Sequence, residues 1–153
     1  MAAVDYFLKI EGIDGESTDA IHKDWIEISS FSWGATNPGS YGQSTGKVSI
    51  QDFHFVSKRI DKSSPLLMKA CATGTHIKKA QLTCRKNGNN PVEFLTITLE
   101  EVMVSSFSPG GEGNVLMPNH SISLSFQKMD YIYKSPRDGV VTEADVDFLP
   151  TTP

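Results

Sequence analysis

Ile26-Glu27-Ile28-Ser29-Ser30-Phe31-Ser32-Trp33 is the stretch that decides the fold. Ile26 and Ile28 share one face of an extended chain, since alternate side chains point the same way. At Ser29-Ser30 the parity flips, and Phe31 and Trp33 carry the apolar side onward. A one-residue phase change of this kind is what a β-bulge does to a pleat. The flip recurs in Val48-Ser49-Ile50-Gln51-Asp52-Phe53-His54-Phe55, where Val48 and Ile50 have one parity and Phe53 and Phe55 the other. It recurs again between Ile122, Leu124, Phe126 and Met129, Tyr131, Tyr133. Long strands that change parity predict a mainly β protein, a bent antiparallel barrel or orthogonal sandwich.

The surrounding sequence fits this frame. Tyr6, Leu8 and Ile10 alternate with polar residues before a turn at Glu11–Gly15, and a second strand is expected from about Lys23 to Ser29. Further strands are expected over Lys78–Lys86, Val92–Phe107 and Ser121–Lys134. The Asn87-Gly88-Asn89-Asn90-Pro91 connector makes the first two of these a hairpin. One short helix is predicted over about 64–74, with Ser64 at the N-cap, Pro65 at the first position and Gly74 closing it. Leu67, Met68 and Cys71 would form its apolar stripe. The stretch Ala35–Gly46 has no periodicity and one large apolar group, Tyr41, so it is read as an extended loop.

The chain of 153 residues reads as a single domain, 1–153, with a tail over 138–153 left without assigned structure. Its net charge of −4 argues against a nucleic-acid partner, which requires a basic footprint. No apolar run is long enough to enter a membrane, and Met1–Tyr6 lacks the basic and apolar regions of a secretory signal. Cys71 and Cys84 read as reduced, buried thiols. The histidines at 22, 54, 76 and 120 are isolated in sequence, so neither metal nor cofactor is expected. Gly110-Gly111-Glu112-Gly113 has no following Lys-Ser or Lys-Thr, and no GxSxG elbow is present. Glu100 and Glu101, adjacent on a strand, should point to opposite faces. An enzyme is not expected. A monomeric carbohydrate- or peptide-binding barrel using Tyr41, Tyr131 and Tyr133 is one alternative class.

Several runs occur in an order that carries a specific resemblance: Phe7-Leu8-Lys9-Ile10, Gly15-Glu16-Ser17, His22-Lys23-Asp24-Trp25-Ile26 and Ser32-Trp33-Gly34. Gly46-Lys47-Val48, Gln51-Asp52-Phe53, Asp61–Pro65, Ala70-Cys71, Gly74-Thr75-His76 and Val104-Ser105-Ser106 continue it. Over roughly 4–134 the chain resembles the Hcp family, the haemolysin-coregulated proteins of type VI secretion. The acidic tail Glu143–Asp147 departs from the family pattern. The resemblance implies a β-barrel with one helix, assembled as a homohexameric ring. Such rings stack into a hollow tube, work with spike and sheath components, and carry small protein effectors in the lumen. It implies synthesis in the cytoplasm and secretion without a signal peptide. It also implies that the extended loop, Asn37, Pro38, Gly39, Ser40, Tyr41, Gly42, Gln43, Ser44 and Thr45, contacts neighbouring subunits. With Trp33 packed inward, Ser32 would face outward and line the channel.

Overall fold

The computed structural model describes residues 4–37, 48–88, 91–110, 113 and 118–148. Among them run β1 (Val4–Ile10), β2 (Ile26–Thr36), β3 (Ser49–Ser57), α1 (Ser63–Thr73), β4 (His76–Lys86) and β5 (Val92–Gly110). The order ends with β6 (Asn119–Ser125), β7 (Lys128–Lys134) and β8 (Val141–Asp147). The strands form one antiparallel sheet in the order β4-β1-β2-β3-β6-β5-β7-β8, and an additional β4–β5 pairing closes it on itself. This is the bent antiparallel architecture expected from the parity breaks.

The bends fall where the sequence changes phase. The β2–β3 register shifts between Ile28 and Ser30, and again between Ser32 and Gly34, where β3 holds an extra residue. That residue lets Phe53 and Phe55 turn into the core. β5 bends too: its register against β6 shifts between Val104 and Ser106, and Glu101 has φ 57°. The N-terminal half of β5 pairs β4 and β7, and its C-terminal half pairs β6. β2 and β5 therefore each pass from one side of the barrel to the other, around a core of Leu8, Ile28, Phe53, Leu99, Ile122 and Leu124.

Several expectations need correction. The third parity flip is a break between two strands, because β6 ends at Ser125 and β7 begins at Lys128. Both lie along β5, and the Gln127 N–H still donates to the Glu100 carbonyl at 3.1 Å. The second strand starts at Ile26, since Asp24 has φ 67° and its carbonyl accepts from the Gly15 N–H at 2.7 Å in a turn. The helix begins at Ser63, with Lys62 at the N-cap position, so Ser64 is not the cap. Instead the Asp61 carboxylate accepts from the Ser63 N–H at 2.9 Å, satisfying a first-turn donor. Gly74 closes the helix with φ 64°, as read. Leu67 and Ala70 are its buried apolar residues, whereas Met68 is exposed and Cys71 half-buried. Cys84 is the buried thiol, pushed up to about 12 by that burial. The tail left unassigned contains β8, paired with β7 from Lys134↔Val141 to Lys128↔Asp147. Glu100 and Glu101 are both exposed, because the backbone at Glu101 leaves plain strand alternation.

Candidate functional site

The bends place one large polar face on the outside of β2, β3, β6 and the C-terminal half of β5. Register puts Ser32 opposite His54, His54 opposite Ser123 and Ser123 opposite Ser106, a single row across four strands. A second row runs Ser30, Val56, Ser121, Ser108. Each row alternates with one buried beneath it: Phe55, Ile122 and Leu124 are fully covered. Alternation of Ser with Phe, Ile and Leu is what fixes this face, because a one-residue slip would send the serines inward.

The face is hydroxyl-rich and carries few charges. Its hydrogen bonds are local: the His54 ring Nδ1 lies 3.1 Å from Ser123 Oγ, and Ser29 Oγ donates to the Val56 carbonyl at 3.2 Å. Asp52 is held by the Ser105 hydroxyl, which donates to Oδ2 at 2.6 Å. Ser32 is exposed and Trp33 half-buried, with its ring 6.3 Å from that of Tyr131, so the two side chains divide as the sequence predicts. Of the nine loop residues read as subunit contacts, Asn37 follows β2 directly. Pro38, Gly39, Ser40, Tyr41, Gly42, Gln43, Ser44 and Thr45 lie outside the described residues.

Two buried histidines, read as isolated in the sequence, are in fact embedded in networks. His22 is 1% exposed, with Nδ1 2.8 Å from Asp19 Oδ2 and Nε2 2.6 Å from Glu93 Oε1. Its ring stacks on Phe7 at 4.3 Å and meets Trp25 edge-on at 4.8 Å. Arg85 extends the network, bonding Asp19 at 2.8 Å and Asp5 at 3.1 Å. Partial burial alone would raise the Asp19 carboxyl. The Arg85 guanidinium, the His22 ring and two backbone N–H groups outweigh that and hold it at about 2. His120 is the second case. The Asp61 N–H donates to Ser64 Oγ at 3.1 Å, and Ser64 Oγ lies 2.6 Å from His120 Nε2. Burial lowers the His120 pKa, favouring the neutral ring. Among the described residues His120 Nδ1 has no hydrogen-bond partner, and the pair lies beneath the surface, so its geometry is that of a structural anchor between α1 and β6. Among the described residues no cluster of His, Cys, Asp or Glu could hold a metal ion.

The remaining exposed feature is the β7–β8 hairpin. All seven residues of β8 are exposed, and its outer edge pairs with no strand among the described residues. One face carries Tyr131, Tyr133 and Val146, and the other carries Lys128, Asp130 and Lys134 on β7 with Glu143, Asp145 and Asp147 on β8.

Comparison with known proteins agrees with this architecture. A family model described as "Type VI secretion system effector, Hcp" matches residues 7–133. The protein Hcp1 of Pseudomonas aeruginosa is 44% identical over 137 residues, covering 86% of this chain and 84% of that protein. The crystal structure of Hcp1 from Salmonella typhimurium superposes with a TM-score of 0.84 at 37% identity, over 96% of each chain. A type VI secretion system effector from Yersinia pestis gives 0.79 at 34% identity, over 94% of this chain and 99% of that one.

Proposed function

This chain belongs to the Hcp family of type VI secretion system effectors, and we propose that its copies close into a hexameric ring whose bore is walled by the serine face. The observation that carries this reading is a pair of open sheet edges. β2 pairs β1 only through Ile28, so among the described residues Ser30–Thr36 have β3 on one side and no strand on the other. β5 pairs β4 only as far as Met103, so among the described residues 104–110 have β6 on one side alone. These edges bound the same four-stranded serine face, on opposite flanks. An unpaired edge is a template for another strand. Unlike edges on opposite flanks of one unit generate a head-to-tail contact, which closes into a ring when the rotation per copy divides a full turn.

In that arrangement the serine rows face inward. A hydroxyl wall with little charge gives cargo many weak hydrogen-bonding contacts and few strong ones, which suits a carrier that must release its load. Stacked rings form a hollow tube that leaves the cell with spike and sheath components, carrying small protein effectors and needing no signal peptide. The acidic balance, repeated around a ring, disfavours nucleic acid as cargo.

Two tests follow. Deleting Asn37–Thr45 should leave a folded barrel, because the strands and α1 supply the described core, but should weaken assembly; unchanged elution and annular particles in electron micrographs would contradict the loop's role. Ser32→Gln puts a longer side chain into the bore. It should leave the ring intact and lower effector co-purification several-fold, whereas undiminished retention would exclude Ser32 from the wall.

A further inference from the structure

The β7–β8 hairpin is the part of the molecule that its own chain leaves most incomplete. Val141 is 56% exposed and lies on the same face of β8 as Glu143 and Asp145. The carboxylates there crowd one another: the hydrogen bond and charge of Asp130, with a further contribution from Asp145, raise the Glu143 pKa. One carboxylate oxygen of Asp130 is buried without a hydrogen-bond partner. Lys128 and Lys134 lie on the β7 half of this face, so its carboxylates concentrate on β8 itself. Pairing β8 with another β8 would set Glu143 and Asp145 of the two strands side by side, so the complementary surface is a basic one.

The chain carries such a surface on α1. Lys62, Leu66 and Lys69 recur at the four- and three-residue spacing of one helix stripe, and all three are exposed. Leu66 is 45% exposed; the Lys62 ammonium makes a loose 4.0 Å contact with Asp24, while its backbone N–H donates to Glu16 Oε2 at 2.7 Å. Lys69 has no ion partner among the described residues. Seven helical residues place the two lysines about 10 Å apart. Glu143 and Asp145 lie about 7 Å apart along a strand, and long lysine side chains span the difference. Each surface has an apolar residue beside its charges, Val141 on one and Leu66 on the other.

We propose that the β7–β8 hairpin docks on a second copy of this chain, seating Val141, Glu143 and Asp145 against the Lys62–Leu66–Lys69 stripe of that copy's α1. This rests on the self-assembly reading above and names the surfaces that hold adjoining copies in addition to the open sheet edges. The contact is heterologous, as repeated head-to-tail assembly requires.

The test is charge reversal and its rescue in the full chain. Glu143→Lys with Asp145→Lys, and separately Lys62→Glu with Lys69→Glu, turn attraction into repulsion at exposed positions. Each pair should weaken self-association by at least about tenfold in analytical ultracentrifugation, with unchanged thermal unfolding of the protomer. All four substitutions together should restore association to within about threefold of the wild type. Wild-type assembly that neither reversal weakens, or weakening that the quadruple variant fails to repair, overturns the docking and leaves ring formation standing. A wild-type chain that stays monomeric at every concentration overturns both.

Discussion

Phe53→Ala lowers the unfolding free energy by about 3–5 kcal/mol, in the range for emptying a large aromatic site in a packed core. Phe53 is fully buried beneath the serine face, 5.8 Å from the Phe31 ring and 6.4 Å from Phe55. It stands at the extra residue of β3 and opposite Leu124 of β6, and its ring packs into the core beneath that bulge. Truncation leaves that space empty, because the bulge prevents the strands from closing over it. A loss of this size is a large fraction of the roughly 5–15 kcal/mol that holds a domain together. Urea titration monitored by tryptophan fluorescence measures it, with the slope unchanged if folding stays two-state. A shift below about 1 kcal/mol would mean that the core beneath the wall is not packed as described. Ser123→Ala, on the exposed side of the same sheet, should change stability by less than about 0.5 kcal/mol.

Arg85→Ala should cost about 2–3 kcal/mol at neutral pH. Its guanidinium is 14% exposed, bonds both Asp5 and Asp19, and lies over the Phe7 ring at 5.0 Å. Removing it leaves Asp5 without its guanidinium and Asp19 with only its His22 and backbone N–H partners, and an abandoned charge costs more than the pair itself contributes. Arg85→Lys should recover only part of this, because one ammonium cannot fork to two carboxylates as a guanidinium does. The same network sets an acid limb. Asp19 sits at about 2 in the folded chain against an ordinary value of 3.8. Its stabilising contribution is therefore complete above about pH 4 and disappears as pH falls through 2. In the Arg85→Ala chain the carboxyl moves back towards its ordinary range, so the acid loss from this group starts at the same unfolded value but finishes at a higher pH and is smaller. Denaturation midpoints of both chains between pH 7 and 2 measure the difference. Parallel curves would show that Asp19 is not held by Arg85.

Features governed by neighbours in sequence could be read directly from the chain. The break at Ser29-Ser30 is where the β2–β3 register shifts, and Gly74 closes α1 in the left-handed conformation. The division of Ser32 and Trp33 between faces follows from alternation alone. Features made by strand pairing could not be read this way. His22 and Glu93 meet only because β5 starts beside the segment leading into β2, and Arg85 reaches Asp5 across the β1–β4 ladder. The one local hint was Asp19 three residues before His22, where Asp19 Oδ2 also accepts from the His22 N–H at 3.2 Å. Ser64 carries cap-like chemistry, but His120 from β6 captures its hydroxyl and Asp61 takes the capping role. The two open edges depend on where β1 and β4 stop pairing, which no local pattern announces.

The central claim is that unlike open flanks of one barrel join copies around a serine-walled bore. Native mass spectrometry of the wild-type chain across a concentration series tests it most directly. A dominant sixfold species that grows with concentration, with integer multiples of it from stacking, is the predicted spectrum. A spectrum of monomers alone at every concentration, from protein that unfolds cooperatively and is therefore intact, would contradict it.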